Sequence, residues 1–295
     1  MSTLSMVGGR KISFTNLDRE LWPGEGITKY HLIKYYLEVA PFMLPHLENR
    51  FLVFQRFPKG IGQPGFYQKN IPEGAPPWVR TVNFQGSEKI TRYLVCSEPE
   101  TLAWLGNQAC LEIHPWLSTV RAPEKPDFAV FDLDPPLGTP FEKVCRVALV
   151  LHKILEDEGF KAYPKTSGSR GIQVYLPLEP LYSYEQARDF TANIFKAVEK
   201  ELPNLTTTER KIASRGDKIY LDHLQNARGK TLVAPYSPRP QKRAPVSAPL
   251  LWEELAEPSL VPSIFNISTI LSRLHNMGDL FAPTLHHKQK IPVGK

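Results

Sequence analysis

No run of about 18 consecutive apolar residues, the length a membrane-crossing helix needs, occurs in this 295-residue chain. Its first residues, MSTLSMVGGRKISF, carry no uninterrupted apolar core of the signal-peptide kind, so neither a membrane span nor secretion is expected. Cysteine is scarce. Cys96, Cys110 and Cys145 are odd in number, far apart and without C-x-x-C spacing, which argues against a disulfide framework or a structural zinc site and fits a reducing cytoplasm. No internal repeat or long low-complexity linker interrupts the chain, so one domain is the simpler expectation. The G-x-x-x-x-G-K-[ST] spacing of a P-loop is missing as well, which removes that route to a nucleotide phosphate.

A hydrophobic fraction of 42% is enough to bury a substantial core. Lysine and arginine number 36 against 30 acids, a net charge of +6 that favours a polyanionic partner. The basic residues gather at 208–218 (TERKIASRGDK) and 228–243 (RGKTLVAPYSPRPQKR). Charge pattern alone reads each cluster equally well as a solvated loop.

Periodicity indicates mixed helices and strands. Thr28 is placed to cap a helix over 29–38 with Leu32, Tyr35, Tyr36 and Val39 on one face, and Pro41 is expected to end or bend it. Val144, Val147, Ala148, Leu151 and Leu155 recur at helical spacing up to Gly159, and Ser183 with Gln186 opens another helix as a capping box. Between them, YPKTSGSRGIQVYLPL reads as strand, turn and strand, with Gly168 and Gly171 freeing the backbone. A further short strand, KIYL, leads into Asp222. The polar ends, before about residue 12 and after about 283, are expected to be loose.

The stretch FAVFDLDPP carries the most chemical information. Alternate side chains of a strand share a face, so Asp132 and Asp134 point the same way, with Phe131 and Leu133 on the other. Two carboxylates so close repel unless a cation intervenes, and a hard ion such as Mg²⁺ or Mn²⁺ takes carboxylate and phosphate oxygens. The alternative is an edge-strand turn closed by Pro135 and Pro136. Four apolar residues before the acids favour a supported site. Asp222 ends IYLD in the same manner, and three strand-end carboxylates suit a two-metal centre for in-line phosphoryl displacement. Thr166, Ser167, Gly168, Ser169, Arg170 and Gly171 offer hydroxyls, open backbone N–H groups and a guanidinium, a set that suits a triphosphate, the alternative being a glycine-serine hairpin with no ligand. Arg215 and Arg239 are further candidates for the same phosphates.

Taken in order, D-L-D-P-P, S-G-S-R-G-I-Q-V-Y-L-P-L and R-G-D-K-I-Y-L-D-H-L-Q-N resemble the three motifs of the archaeo-eukaryotic primase superfamily. More narrowly, the chain resembles the polymerase domain of DNA ligase D, the prokaryotic end-joining polymerase. LWPGEGITK, RFPKGIGQPGFYQKN, EIHPW and TLVAPYSPRPQKRAPVSAPLLWEEL extend the likeness over about residues 12–275. The resemblance implies an α+β, primase-like fold with a mixed or antiparallel catalytic sheet flanked by helices and an N-terminal α/β portion. It implies a single domain over 12–283, with a DNA-end-binding portion at 12–120, a catalytic portion at 121–283 and flexible ends at 1–11 and 284–295. A stand-alone polymerase, without ligase or phosphoesterase domains, is the expected form.

The implied activity is metal-dependent nucleotidyl transfer to a 3′-OH, filling gaps and extending ends during prokaryotic non-homologous end joining, with NTPs preferred to dNTPs and two Mn²⁺ or Mg²⁺ ions as cofactors. By the resemblance, Asp132, Asp134 and Asp222 are catalytic and hold the metals. His114, Ser167, Arg170, Gln173, Arg215 and Arg239 bind the nucleotide. Arg19, Lys29, Arg56, Phe66, Tyr67 and Lys69 bind DNA: Arg19 and Lys29 at the 5′-phosphate beyond a gap, Phe66 and Tyr67 by stacking on the template at about 1–3 kcal/mol per base, and Lys69 at a phosphate. The implied partners are double-stranded DNA ends, gapped DNA with a 5′-phosphate, Ku, a separate DNA ligase and a second polymerase domain paired across a break. The implied place is the prokaryotic cytoplasm, at the nucleoid during repair.

Two positions depart from the pattern. Gln173 stands where many relatives have His, and Gln55 where a Lys often precedes the Arg of R-F-P, so triphosphate binding leans more on Arg170 and Arg239. A haloacid-dehalogenase-type phosphatase fits less well, because Pro135-Pro136 replaces its usual Gly-Thr. A D-x-D glycosyltransferase leaves the basic and aromatic stretches unexplained. The remaining alternative is a non-catalytic module that bridges DNA ends.

Overall fold

The apolar run at 128–133 forms most of a seven-residue strand, Phe128–Asp134, in the computed structural model, which describes residues 2–86 and 89–292. This strand is the middle of a five-stranded sheet ordered Tyr163–Thr166, Ile172–Pro177, Phe128–Asp134, Ile219–Asp222 and Thr206–Thr207. All neighbours are antiparallel except the last pair, so the sheet is mixed. Phe131 turns to the face covered by the helix Tyr184–Glu201, where it meets Phe190 and Phe195 edge-on. That helix starts where its capping box predicts: Ser183 Oγ accepts from the Gln186 N–H at 3.2 Å, and the Ser183 N–H donates to Gln186 Oε1 at 2.9 Å. The helix Phe141–Asp157 packs beside it and has Val144, Val147, Ala148, Leu151 and Leu155 fully buried.

Asn226 braces the central strand. It is buried, accepts from the Val130 N–H at 2.8 Å and donates back to the Val130 carbonyl at 2.7 Å. These elements belong to one of two compact units, made of Leu117–Lys230, Ser247–Ile264 and Asp279–Lys295.

The other unit comprises Met1–Trp116, Thr231–Val246 and Phe265–Gly278. Its sheet runs Phe66–Gln68, Leu52–Arg56, Ile90–Leu94 and Thr81–Gln85, with Cys110–Pro115 also paired to Leu52–Arg56, antiparallel throughout. The first helix is longer than its prolines suggest. It spans Lys29–Leu47 with Pro41 and Pro45 inside, because a buried stripe of Leu32, Tyr35, Tyr36, Val39, Met43 and Leu47 holds it against the core. Each such side chain is worth about 1.5–3 kcal/mol on burial, enough to outweigh about 3 kcal/mol for a proline in a helix interior. At its start the Thr28 N–H donates to His31 Nδ1 at 3.1 Å.

The N-terminal residues, expected to be loose, instead form a hairpin of Ser2–Val7 and Arg10–Thr15. Gly8 and Gly9 both adopt positive φ at its turn, and Ile12 and Phe14 are buried in a small cluster with Ile33 and Ala103. The C-terminal stretch is also tied down, since Gln289 bridges in parallel to Leu178 and its side-chain amide bonds Lys161. Cys96, Cys110 and Cys145 are free and buried. Among the described residues no helix is long and apolar enough to cross a membrane.

Candidate active site

Strand register builds the centre of the second unit. Lys165 lies opposite Gln173, Gln173 opposite Asp132, and Asp132 opposite Asp222. Directly opposed residues project from the same face, so the four side chains make one row across four strands. Asp134, two residues beyond Asp132, shares that face and lies opposite Tyr220. The three acids expected to act together therefore sit on adjacent strands, on the face opposite Phe131.

Gln173 Nε2 donates to Asp132 Oδ1 at 3.1 Å. Asp132 keeps a strip of exposed surface, yet its carboxyl lies deep enough that lost hydration is the largest influence on it, followed by the Asp222 carboxylate. Together these push it up to about 7, with Asp134 adding and Gln173 and Lys165 opposing. Asp134 is half exposed, 3.7 Å from Arg170 Nη2; its carboxyl is raised by partial burial against the pull of Arg170 and Arg215. The Asp222 carboxylate accepts from the Leu224 N–H at 3.0 Å.

As they stand, the described residues include no group of three or more His, Cys, Asp or Glu gathered closely enough to hold a metal ion. Asp222 is turned to its own strand end and Asp134 toward Arg170. The donor set nevertheless fits a hard divalent cation: it is all carboxylate oxygen, and Asp132 directly opposite Asp222 sets two like charges across one register position, a repulsion that a cation relieves.

The glycine-bearing turn follows the same logic of close approach. Gly168 takes φ of +68°, and a Cβ on Gly171 would meet the Leu133 carbonyl oxygen at 2.3 Å, so only glycine lets this turn lie against the acid-bearing strand. Ser167 Oγ accepts from the Ser169 and Gly171 N–H groups at 3.2 and 3.1 Å, which commits this hydroxyl oxygen to the turn. Arg170 stands exposed at the rim. The Arg215 guanidinium lies 3.5 Å over the Tyr220 ring and donates to the Glu209 and Arg210 carbonyls. Beside Asp222 a hollow of about 390 Å³ is lined by Arg188, Arg210, Arg215, Tyr220 and Lys230 among others, a cationic wall of the kind a phosphodiester chain suits.

The other predicted residues lie in the first unit. His114 Nε2 is 2.8 Å from Glu112 Oε2, and Arg239 Nε is 2.8 Å from Glu112 Oε1, close enough for an ion pair although its N–H is not aimed as a hydrogen bond requires. Tyr67 meets His114 edge-on at 5.7 Å. Glu112, 1% exposed, was missed in the sequence; its signal was the alternation of CLEIHPW, which sends an acid and a histidine to one face. Phe66 and Tyr67 are 46% and 61% exposed, as stacking surfaces require. Arg56 lies 5.4 Å from the Phe66 ring centroid and is anchored by Gln68 and Gln108, and Lys69 is exposed. Arg19 donates to the Pro58 carbonyl at 2.6 Å. Lys29 is 5% exposed and donates to the Thr15 carbonyl at 2.8 Å; burial, then Arg19 and Arg56, lower its ammonium to about 8.

Known proteins match this arrangement over most of the chain. A family model described as LigD, primase-polymerase domain, matches residues 28–281. The bifunctional non-homologous end joining protein LigD of Bacillus subtilis is 39% identical over 96% of this chain and 46% of its own length. The multifunctional non-homologous end joining protein LigD of Mycolicibacterium smegmatis is 34% identical over 92% of this chain and 36% of its own. The chain thus spans less than half the length of either relative. The solved polymerase domain of Mycobacterium tuberculosis ligase D in complex with DNA superposes with a TM-score of 0.87 at 31% identity, covering 94% of this chain and 99% of that one. The fold is accordingly that of a primase-type polymerase, and the chain belongs to the LigD primase-polymerase domain family.

Proposed function

We propose that this chain is a metal-dependent nucleotidyltransferase that extends the 3′-OH of a broken or gapped DNA end, taking NTPs in preference to dNTPs, in prokaryotic non-homologous end joining. The observation that carries the proposal is the register that sets Asp132 opposite Asp222, with Asp134 two residues on along the same face. Bound divalent ions, Mn²⁺ or Mg²⁺, would polarise the phosphates and acidify the attacking hydroxyl. Asp132, Asp134 and Asp222 hold them in this reading. Arg170 and Arg215 neutralise the triphosphate from the rim, while the Ser167 turn offers backbone for it to rest against. In this reading His114 and Arg239, joined through Glu112, bind the nucleotide, and residues of the first unit grip the DNA end.

In that grip, Arg19 and Lys29 take a 5′-phosphate, Phe66 and Tyr67 stack on template bases, and Arg56 and Lys69 support the backbone. Gapped DNA with a 5′-phosphate is the proposed substrate. Ku, a separate ligase and a second polymerase domain across the break are the proposed partners, in the cytoplasm.

Extension of a labelled primer across a short 5′-phosphorylated gap, with NTPs or dNTPs and Mn²⁺ or Mg²⁺, tests the reading. Wild type is expected to extend with NTPs ahead of dNTPs, and Asp132→Ala to lose at least 100-fold, on the order of other losses of charge stabilisation at a reacting centre. The capping of Leu224 by Asp222 favours one other reading, an end-bridging module whose acids stay apart. Tight binding of the gap with no extension at any metal concentration would establish that module instead.

A further inference from the structure

Lys165 is a fully buried lysine, 0% exposed, on the strand at one edge of the catalytic sheet. An ammonium in such a place needs strong acceptors around it. Its Nζ donates to Gln173 Oε1 at 2.6 Å and to Ser247 Oγ at 2.5 Å, and lies 5.6 Å from the Tyr175 ring centroid. Ser247 Oγ in turn donates to the Thr166 carbonyl at 2.7 Å, which leaves that hydroxyl's lone pairs facing Lys165.

An ammonium has donors only, so the group facing it must be the oxygen of the Gln173 amide. That settles which end of the amide faces the other way. The NH₂ is directed to Asp132, 3.1 Å from Oδ1. An ionised carboxylate only accepts and so calls for the NH₂ end of a glutamine; here Lys165, by holding the oxygen end, presents that NH₂ in advance.

We propose that Lys165 is a positioning residue: by holding the Gln173 oxygen it commits the Gln173 N–H to Asp132 Oδ1 and so fixes which carboxylate oxygen is left for a divalent cation. The inference rests on the metal reading above. It also gives the departure at position 173 a physical content, because a glutamine at this site needs a partner behind it and Lys165 is that partner. Groups that orient metal ligands in this way typically contribute 10–100-fold in metal affinity.

Binding of Mn²⁺ alone to the full chain, followed by the loss of the free-ion electron paramagnetic resonance signal, tests it. The set is wild type, Asp132→Ala, Lys165→Met, Gln173→Leu and the Lys165→Met/Gln173→Leu double variant, each checked for its melting transition. Lys165→Met and Gln173→Leu are each expected to weaken Mn²⁺ about tenfold or more, and the double variant to be no weaker than Gln173→Leu, because the orienting effect of Lys165 runs through the amide and its positive charge, left without the amide, repels a cation rather than helping it. A Lys165→Met protein that binds Mn²⁺ as wild type does, or losses that multiply in the double variant, would overturn the proposal.

Should Lys165→Met not fold, Ser247→Ala takes its place, with a several-fold loss expected and wild-type affinity overturning. Mn²⁺ binding that is absent from wild type, or indifferent to Asp132→Ala, would sink the metal reading and the relay together. Binding that needs Asp132 but ignores Lys165 sinks the relay alone.

Discussion

Asp132 illustrates how a side chain proposed to hold a metal strains the fold that carries it. Burial and Asp222 push its carboxyl up to about 7, so folding near neutral pH places a carboxylate that the unfolded chain holds ionised where the environment resists its charge. A raised acid binds its proton in the native state at pH values where the unfolded chain has released it. Stability from this group therefore falls as pH rises between about 4 and 7 and stays lost above 7. Asp132→Asn, neutral but of the same shape and still able to accept from Gln173, is expected to raise the melting temperature by a few °C at pH 8, corresponding to about 1–2 kcal/mol, and by less at pH 5. Differential scanning fluorimetry at the two pH values checks it, and the same variant is expected to have lost primer extension. A lower melting point at pH 8 would mean that Asp132 is compensated by groups other than Gln173 and Lys165.

At the scale of elements, two helix starts lead to separate expectations. Ser183 and Gln186 satisfy each other's backbone at the head of Tyr184–Glu201, so Ser183→Ala is expected to cost about 1 kcal/mol, or some 2–4 °C, with extension rate unchanged. Lys29 opens the helix Lys29–Leu47, where the helix dipole also favours an anion, and its ammonium is lowered to about 8. The charged form that a 5′-phosphate would pair with is thus lost as pH passes through 8. The preference for 5′-phosphorylated over 5′-hydroxyl gaps is expected to fall several-fold, at most about tenfold, between pH 7 and 9, and Lys29→Ala to flatten the profile. Fluorescence anisotropy with both gap types measures it.

These elements also mark what can be read from sequence. The capping box, the helical spacing from Val144 to Leu155 and the strand-turn-strand around Gly168 and Gly171 are local patterns with local causes, and they stand where they were expected. The helix running through Pro41 and Pro45 is not local: burial of its stripe decides it, and burial belongs to the assembled core. The hairpin at Ser2–Val7 has the same origin, since only Ile12 and Phe14 within it are well buried. Lys165 and Glu112 are not legible in the sequence, because a charged residue reads as exposed unless its cross-strand partners are known. The three acids were legible as strand ends; the register that makes Asp132 and Asp222 direct partners was not.

For the whole molecule, charge is the property with a measurable consequence. A net charge of +6, with Arg188, Arg210, Arg215 and Lys230 lining the hollow beside Asp222, favours release of counterions on binding DNA. Affinity for gapped DNA is expected to fall by at least tenfold between about 50 and 200 mM salt, linearly in log–log form, and Arg210→Ala is expected to lower the slope by about 1. Titrations at four salt concentrations determine it.

The row Lys165–Gln173–Asp132–Asp222 has one more consequence, for how this protein can go wrong. Because side chains alternate along a strand, slipping Phe128–Asp134 by one position would bring Phe131 and Leu133 to the polar face and drive Asp132 and Asp134 into the helices behind. The row of polar side chains and the core are thus read from a single alignment of strands. A copy of the chain paired out of step loses its core packing along with the proposed site, so mispaired molecules are removed by instability rather than persisting as well-folded proteins with a scrambled site.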